Sequence, residues 1–133
     1  MTSLTRFLYP VPAPRSIGSI IRWWESRRLA YNIAVGTAGF TTLCFVRILG
    51  RLPPASHDLL PPLALVAVYA ILANVCYTAG WVVEASANAT FGDELLPVGP
   101  PLFRQGLLFS VGLTLLPILI GALDWGFRVL RWL

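Results

Sequence analysis

The sequence predicts an all-α integral membrane protein, with three transmembrane helices preceded by an interfacial amphipathic helix, as a single membrane domain over residues 1–133. Composition is the first observation behind this prediction. The chain is 56% hydrophobic and 12% charged, whereas a soluble globular domain is about 25% charged. The second is three apolar stretches, residues 30–48, 63–83 and 107–123. Each approaches or reaches the ~20 residues that cross a bilayer as a helix.

The first segment of the chain is not predicted to be helical. Residues 1–16 are expected to form an irregular arm, because Pro10, Pro12 and Pro14 favour extended backbone. The arm has no apolar core of the kind that a secretory signal peptide needs. The first span is therefore expected to act as both signal and anchor.

Residues 17–28 are expected to form the amphipathic helix. Apolar side chains recur there every three or four residues, among them Ile17, Ile20 and Trp24, while arginines take other positions. Such a helix lies flat on a membrane surface, with its tryptophans at headgroup depth. Since no proline or glycine follows Arg28 before the first span, the two can form one continuous helix.

The three transmembrane helices are predicted over residues 29–49, 62–84 and 103–125. Glycine and alanine recur at four-residue spacing in the first, and small residues at that interval allow close helix approach. Prolines ahead of the second suit a helix start. Pro117 inside the third removes one backbone hydrogen bond and predicts a kink.

Arginines set the expected partner and orientation. All ten basic residues are arginine, and half of them precede the first span, where anionic lipid headgroups are the natural partner. No nucleic-acid motif accompanies them, so no nucleic-acid partner is expected. With the N terminus in the cytoplasm, six arginines lie inside and four outside, which favours that orientation. The lysine-free composition is typical of a bacterial protein, and the expected location is the inner membrane.

Catalysis and cofactor binding find little support in the sequence. Cys44 and Cys76 fall inside predicted spans at different expected depths, and they form no CxxC or zinc motif. The single histidine, His57, lies beside Asp58 in a short loop with no nucleophile placed next to it. We therefore expect no catalytic residue, no metal and no cofactor. The sequence favours a protein without enzymatic activity, although a small lipid-modifying enzyme stays open.

Polar residues gather where the first span begins and the second ends. Asn74, Tyr77 and Glu84 share one stripe of the second span. Because consecutive spans are antiparallel, this stripe meets the start of the first span near the cytoplasmic boundary. The predicted ligand-binding residues are Arg27, Arg28, Tyr31, Asn32, Asn74, Tyr77, Glu84 and Arg104.

Two interpretations of this polar cluster stay open. Its residues either fasten the helices together or line a pocket for an anionic headgroup or another small ligand. In both, a carboxylate at that depth needs a cation, so we expect an ion pair of Glu84 with Arg28 or with Arg104. At the other end of the bundle, the four-residue spacing of Asp124 and Arg128 predicts a second ion pair.

The predicted function is association, either as a homo-oligomer or as an accessory or anchor subunit of a larger membrane complex. One alternative is an oligomeric transporter or pore. A pore requires a continuous polar stripe, whereas the middle and outer parts of the spans offer only Thr41, Thr42, Ser110 and Thr114. The other alternative is a protein that binds a lipid headgroup or a quinone through the polar cluster.

Overall fold

The computed structural model of the chain describes residues 16–54, 61–92 and 98–133. These residues form three α-helices and no strand: α1, Ile17–Arg51; α2, Leu63–Phe91; and α3, Gly99–Trp132. Each helix is long and apolar enough to cross a membrane. The predicted all-helical architecture with three membrane-spanning helices is confirmed to that extent. The expected arm before residue 16, and the His57 and Asp58 pair, lie outside the described residues.

One helix occupies the place of the predicted amphipathic helix and the predicted first span. α1 has 35 residues without a break, and a helix of that length rises ~52 Å, beyond the ~30 Å of a bilayer's hydrocarbon core. Ser16 caps its N terminus, accepting a hydrogen bond from the Ser19 amide. Once begun, helix formation propagates cooperatively, and nothing between residues 28 and 30 interrupts it. Residues 17–28 are thus the start of α1, which is itself apolar, and not a separate helix.

The other two helices also extend past the predicted spans. α2 ends at Gly92, whose φ of 63° lies in the left-handed region that glycine adopts without strain. α3 begins with Gly99 followed by two prolines, which suits a first turn because its amide groups have no partner within the helix. Pro117 lies inside α3 as predicted, and it cannot donate to the Leu113 carbonyl.

The core of the bundle lies toward one end, called here the aromatic end. It consists of buried side chains of all three helices: Ile20, Trp24, Tyr31, Val35, Tyr77 and Phe103. α1 and α3 run parallel and pack along most of their length, with α2 antiparallel to both. In α2 only Tyr77, at its midpoint, and Glu84, in its C-terminal half, are buried. The N-terminal half of α2 therefore contributes no buried side chain to the bundle.

The opposite end of the bundle is held by contacts between α1 and α3. Arg128 Nη2 donates to the Leu49 carbonyl at 3.1 Å, and Trp125 Nε1 donates to the Pro53 carbonyl at 3.1 Å. Arg128 Nε also lies 3.1 Å from Asp124 Oδ2. The predicted ion pair of Asp124 and Arg128 is confirmed, and its arginine additionally caps the last turn of α1.

Candidate functional site

The carboxylate of Glu84 is the central group of the aromatic end. Its side chain belongs to α2 and is 3% exposed. Trp24 Nε1, from α1, donates a hydrogen bond to Oε2 at 2.6 Å. The carboxylate also lies against the first residue of α3, because a Cβ at Gly99 would be 2.7 Å from both Cδ and Oε1. One side chain thus touches all three helices.

The beginning of α3 is suited to a carboxylate. Of its first three residues, Gly99, Pro100 and Pro101, only the glycine has an amide hydrogen to offer. The absence of a side chain at Gly99 makes the space that the carboxylate fills. The N-terminal end of a helix carries partial positive charge and stabilises a nearby anion. Glu84 therefore lies where the N terminus of α3 stabilises a negative charge.

The indole of Trp24 is held in place as firmly as the Glu84 carboxylate that accepts its hydrogen bond. It is 2% exposed, and it lies so close to Gly80 that a Cβ there would be 2.7 Å from Cη2. Tyr77 OH donates to the Trp24 carbonyl at 2.5 Å, and the two rings meet edge to face at 5.3 Å. Phe103 approaches the same indole at 6.0 Å. Trp24 points into the bundle, and its expected position at headgroup depth stays a prediction.

The expected ion pair between Arg28 and Glu84 is wrong. Arg28 donates through Nε and Nη2 to both carboxylate oxygens of Glu25, at 2.8 and 2.6 Å. Nη2 also reaches Thr78 Oγ1 at 3.2 Å, and the guanidinium lies 5.1 Å from the centre of the Tyr77 ring. Glu25 is one turn away on the same helix and half-exposed, so this pair forms without burying either charge. The pair of Glu84 with Arg104 stays a prediction.

Arg27 has a different role from its neighbour. It is 8% exposed, Nη1 donates to the Trp23 carbonyl at 3.0 Å, and the guanidinium stacks on the Trp23 ring at 4.0 Å. Such stacking stabilises a partly desolvated arginine. Arg104, in the second turn of α3, is half-buried.

The remaining predicted site residues divide between two surfaces. Tyr31 points inward, where its hydroxyl bonds the Ala73 carbonyl at 3.2 Å and Ser110 Oγ at 2.9 Å. Its ring lies 4.7 Å from that of Tyr77. Asn32 is exposed and Asn74 is half-buried, and both line a groove between α1 and α2. The structure therefore brings Tyr31, Tyr77 and Glu84 into the bundle and leaves the two asparagines outside it.

Hydroxyl groups link the three helices near the middle of the bundle. Tyr69 OH lies 2.5 Å from Thr114 Oγ1, and Thr42 Oγ1 donates to the Thr114 carbonyl at 2.7 Å. Thr114 Oγ1 bonds the Ser110 carbonyl of its own helix at 2.6 Å. The sequence had marked Thr42, Ser110 and Thr114 only as too few for a pore. The four-residue spacing of Ser110 and Thr114, which places them on one face of α3, was a usable signal of cross-helix bonding.

A groove runs between α1 and α2. It has a volume of about 620 Å³ and reaches down to α3. Most of its lining is apolar, and Tyr69 and Thr114 lie at its base. Its other polar side chains are Asn32, Thr42 and Asn74. Both asparagines are predicted site residues, whereas the groove has no signature in the sequence because it depends on how α1 and α2 pack.

Groups typical of metal binding or thiol chemistry are sparse in the part of the chain that the structure describes. There, no three histidine, cysteine, aspartate or glutamate side chains come together to hold a metal ion. Cys44 and Cys76 are both free and exposed.

Comparisons with known proteins give no relative whose function could be carried over. No protein-family model, curated protein or solved structure matches this chain. Any functional assignment therefore rests on the geometry of the chain itself.

Proposed function

We propose that this protein works by association within the membrane, as a homo-oligomer or as an accessory or anchor subunit of a larger membrane complex. The observation that carries the proposal is the outer side of α2. Of its 29 residues, only Tyr77 and Glu84 are buried, and both face α1 and α3. The opposite side of this helix is left for a partner.

A regular seam follows that outer side. Ala64, Val68, Ile71, Val75 and Val82 share it, and all five are exposed. The first four are spaced four, three and four residues apart, and Val82 follows seven residues later. Residues at this spacing all face the same neighbouring helix. Lipid solvates apolar side chains as well as a protein does, so association in a bilayer depends on close packing. Alanine and β-branched side chains of restricted freedom suit such packing.

The contacts at the aromatic end also support association rather than transport. Glu84, Trp24 and Tyr77 satisfy one another and fasten α2 to the bundle. The hydroxyls of Thr42 and Thr114 bond across the helices instead of lining a passage. Polar groups that serve as internal fasteners favour a rigid three-helix unit with a free outer face over a pore.

Cysteine cross-linking in membranes tests the proposal. The substitutions Cys44→Ala and Cys76→Ala remove both native thiols, and Val68→Cys or Val75→Cys then places one thiol on the seam. Oxidation should join this thiol to a neighbouring copy or to a partner protein. Phe109→Cys is the matched control, since Phe109 is 71% exposed but belongs to α3, away from the seam.

The products distinguish the forms of association. A species of twice the chain's mass identifies a homo-oligomer, and a covalent product with a second protein identifies a complex subunit, provided that the Phe109→Cys control forms neither. If both seam thiols react with a membrane-permeant maleimide but form no cross-linked product, the association proposal fails.

The proposal includes a location: the bacterial inner membrane, multi-pass, with the N terminus in the cytoplasm. Six arginines support this orientation against four, the inner set being Arg6, Arg15, Arg22, Arg27, Arg28 and Arg104 and the outer set Arg47, Arg51, Arg128 and Arg131. The inner set would also meet anionic lipid headgroups. An alkaline phosphatase fused to the C terminus should be active and a fluorescent protein there dark. The reverse result would overturn the orientation.

A further inference from the structure

We propose that the groove between α1 and α2 binds one acyl chain of a membrane phospholipid, with the lipid's ester carbonyl held between Asn32 and Asn74. This groove is called here the acyl groove. It is lined on α1 by Asn32, Gly36, Gly39, Phe40 and Leu43, on α2 by Leu65, Val66, Tyr69, Ala70, Ala73 and Asn74, and at its base by Leu113, Thr114 and Pro117.

The two asparagines face the groove at the same depth. Tyr31 OH donates to the Ala73 carbonyl at 3.2 Å, which fixes the register between α1 and α2. Asn32 and Asn74 each follow one of these two residues in the sequence, and both line the groove. Two carboxamides on opposite walls therefore flank one level of a groove whose other polar side chains are Thr42, Tyr69 and Thr114.

Both carboxamides have hydrogen-bonding capacity to spare. Asn74 Nδ2 donates to the Ala70 carbonyl at 3.1 Å, which uses one of its two N–H groups. The Asn32 side chain has no hydrogen-bond partner among the described residues, and an unsatisfied amide away from water costs about 1–3 kcal/mol. An ester carbonyl has two acceptor lone pairs and no donor. It therefore matches the N–H groups that the two asparagines can present.

The groove beyond the asparagines has the dimensions of a hydrocarbon chain site. From Asn32 to Leu43 the α1 wall rises ~16 Å. The volume of about 620 Å³ falls within the ~300–1,000 Å³ of small-molecule sites, which are mostly apolar with a few polar groups that set orientation. Gly36 leaves this space open, since a Cβ there would meet nothing within 4 Å.

The order of the polar groups favours a phospholipid over a quinone. Arg28, which also pairs with Glu25, lies one helical turn before Asn32. With Thr78 it borders a shallow cleft that includes Asn74 and the seam residue Val75. Along the helices, the guanidinium of Arg28 is followed by the carboxamides of Asn32 and Asn74, and these are followed by the apolar walls of the groove. A phospholipid presents phosphate, ester carbonyl and acyl chain in that same order. A quinone ring offers carbonyls but nothing to match Arg28.

Native mass spectrometry of the full-length protein released from nanodiscs of phosphatidylglycerol and phosphatidylcholine tests this proposal. The wild-type chain should retain one phospholipid. Gly36→Leu fills the groove, and the pair Asn32→Leu and Asn74→Leu removes the carbonyl site, so each should lower the retained fraction about tenfold or more. Gly112→Leu is the matched control, because Gly112 also has open space at its Cβ but lies on α3 outside the groove.

A second measurement requires no variant. A phosphatidylglycerol with a photoreactive diazirine in its acyl chain should label the wild-type protein within residues 32–43 and 65–74. Labelling confined to other parts of the chain, or equal lipid retention by all variants, would each overturn the proposal. This inference does not rest on association, so Gly36→Leu should leave the Val75→Cys cross-link intact.

Discussion

Trp24 Nε1 donates to Glu84 Oε2 at 2.6 Å, and both side chains are buried. The bond joins the first half of α1 to the second half of α2, and the same carboxylate lies at the first residue of α3. An ionisable group near the membrane interior is tolerated only where it has partners. Here the partners are an indole N–H and a helix N terminus, which together make Glu84 the point where three helices meet.

The Trp24 to Glu84 bond should be important for stability. Trp24→Phe keeps an aromatic ring over Gly80 but removes the donor, and a hydrogen bond to a charged group contributes about 1.5–3 kcal/mol. We expect the free energy of unfolding, measured by titration with SDS in mixed micelles, to fall by about 2 kcal/mol. Trp132→Phe is the control, since Trp132 is 76% exposed. Equal losses in both variants would show that the bond contributes nothing specific.

The fit of Gly99 against Glu84 should appear as coupling between the two positions. Gly99→Ala places a methyl group 2.7 Å from Oε1, so the carboxylate must move and we expect a loss of about 1–3 kcal/mol. With Glu84→Ala already present, the added methyl meets no carboxylate and should be nearly neutral. A double-mutant cycle measures this difference. Gly106→Ala, where a Cβ has open space, is the control. Additive losses at the two positions would contradict the contact.

Helical periodicity and chain direction were enough to bring the right regions together. The spacing of Tyr77 and Glu84 placed them on one stripe, and the antiparallel order of the spans brought that stripe to the start of α1. The partner of Glu84 could not be obtained in this way. The identity of that partner depends on the rotation of α1 about its axis, which turns Trp24 toward the bundle. It also depends on Glu25, which forms an ion pair with Arg28 in place of Glu84.

The ends of the helices also could not be predicted from the sequence. Hydropathy indicates where an apolar segment ends, whereas a helix continues until its backbone hydrogen bonding is interrupted. α1 therefore runs through Arg28 without a break and ends only at Arg51. The groove between α1 and α2 also has no local signature, because it depends on how the two helices pack. The acyl groove was for that reason invisible in the sequence.

The hydroxyl bond between Thr42 and Thr114 can be tested against a neighbour of the same type. Thr42 Oγ1 bonds another helix at 2.7 Å, whereas Thr41 Oγ1 bonds the Thr37 carbonyl of its own helix at 2.9 Å. Valine has the same shape as threonine without the hydroxyl. Thr42→Val should lower the free energy of unfolding by about 0.6–1.7 kcal/mol, the range for bonds between membrane helices. Thr41→Val should change it less. The reverse ranking would show that the cross-helix bond is not stabilising.

Arg128 should matter more as a cap of α1 than as the partner of Asp124. Its side chain is 8% exposed, and Nη2 satisfies the Leu49 carbonyl in the last turn of α1. The Asp124 side chain is 46% exposed, and ion pairs with exposed partners contribute about 0–1 kcal/mol. We expect Arg128→Leu to destabilise the protein by about 1.5–3 kcal/mol, as for loss of a hydrogen bond from a charged donor.

Two further substitutions separate the cap from the ion pair. Asp124→Asn removes the charge partner but leaves the bond to Leu49, and Arg131→Leu removes an exposed arginine from the same last turn of α3. Each should lower the free energy of unfolding by less than about 1 kcal/mol. Hydrogen exchange at the amides of residues 49–52 should speed up only in Arg128→Leu, because only that variant frees the end of α1. Equal destabilisation by Asp124→Asn and Arg128→Leu would instead assign the effect to the ion pair.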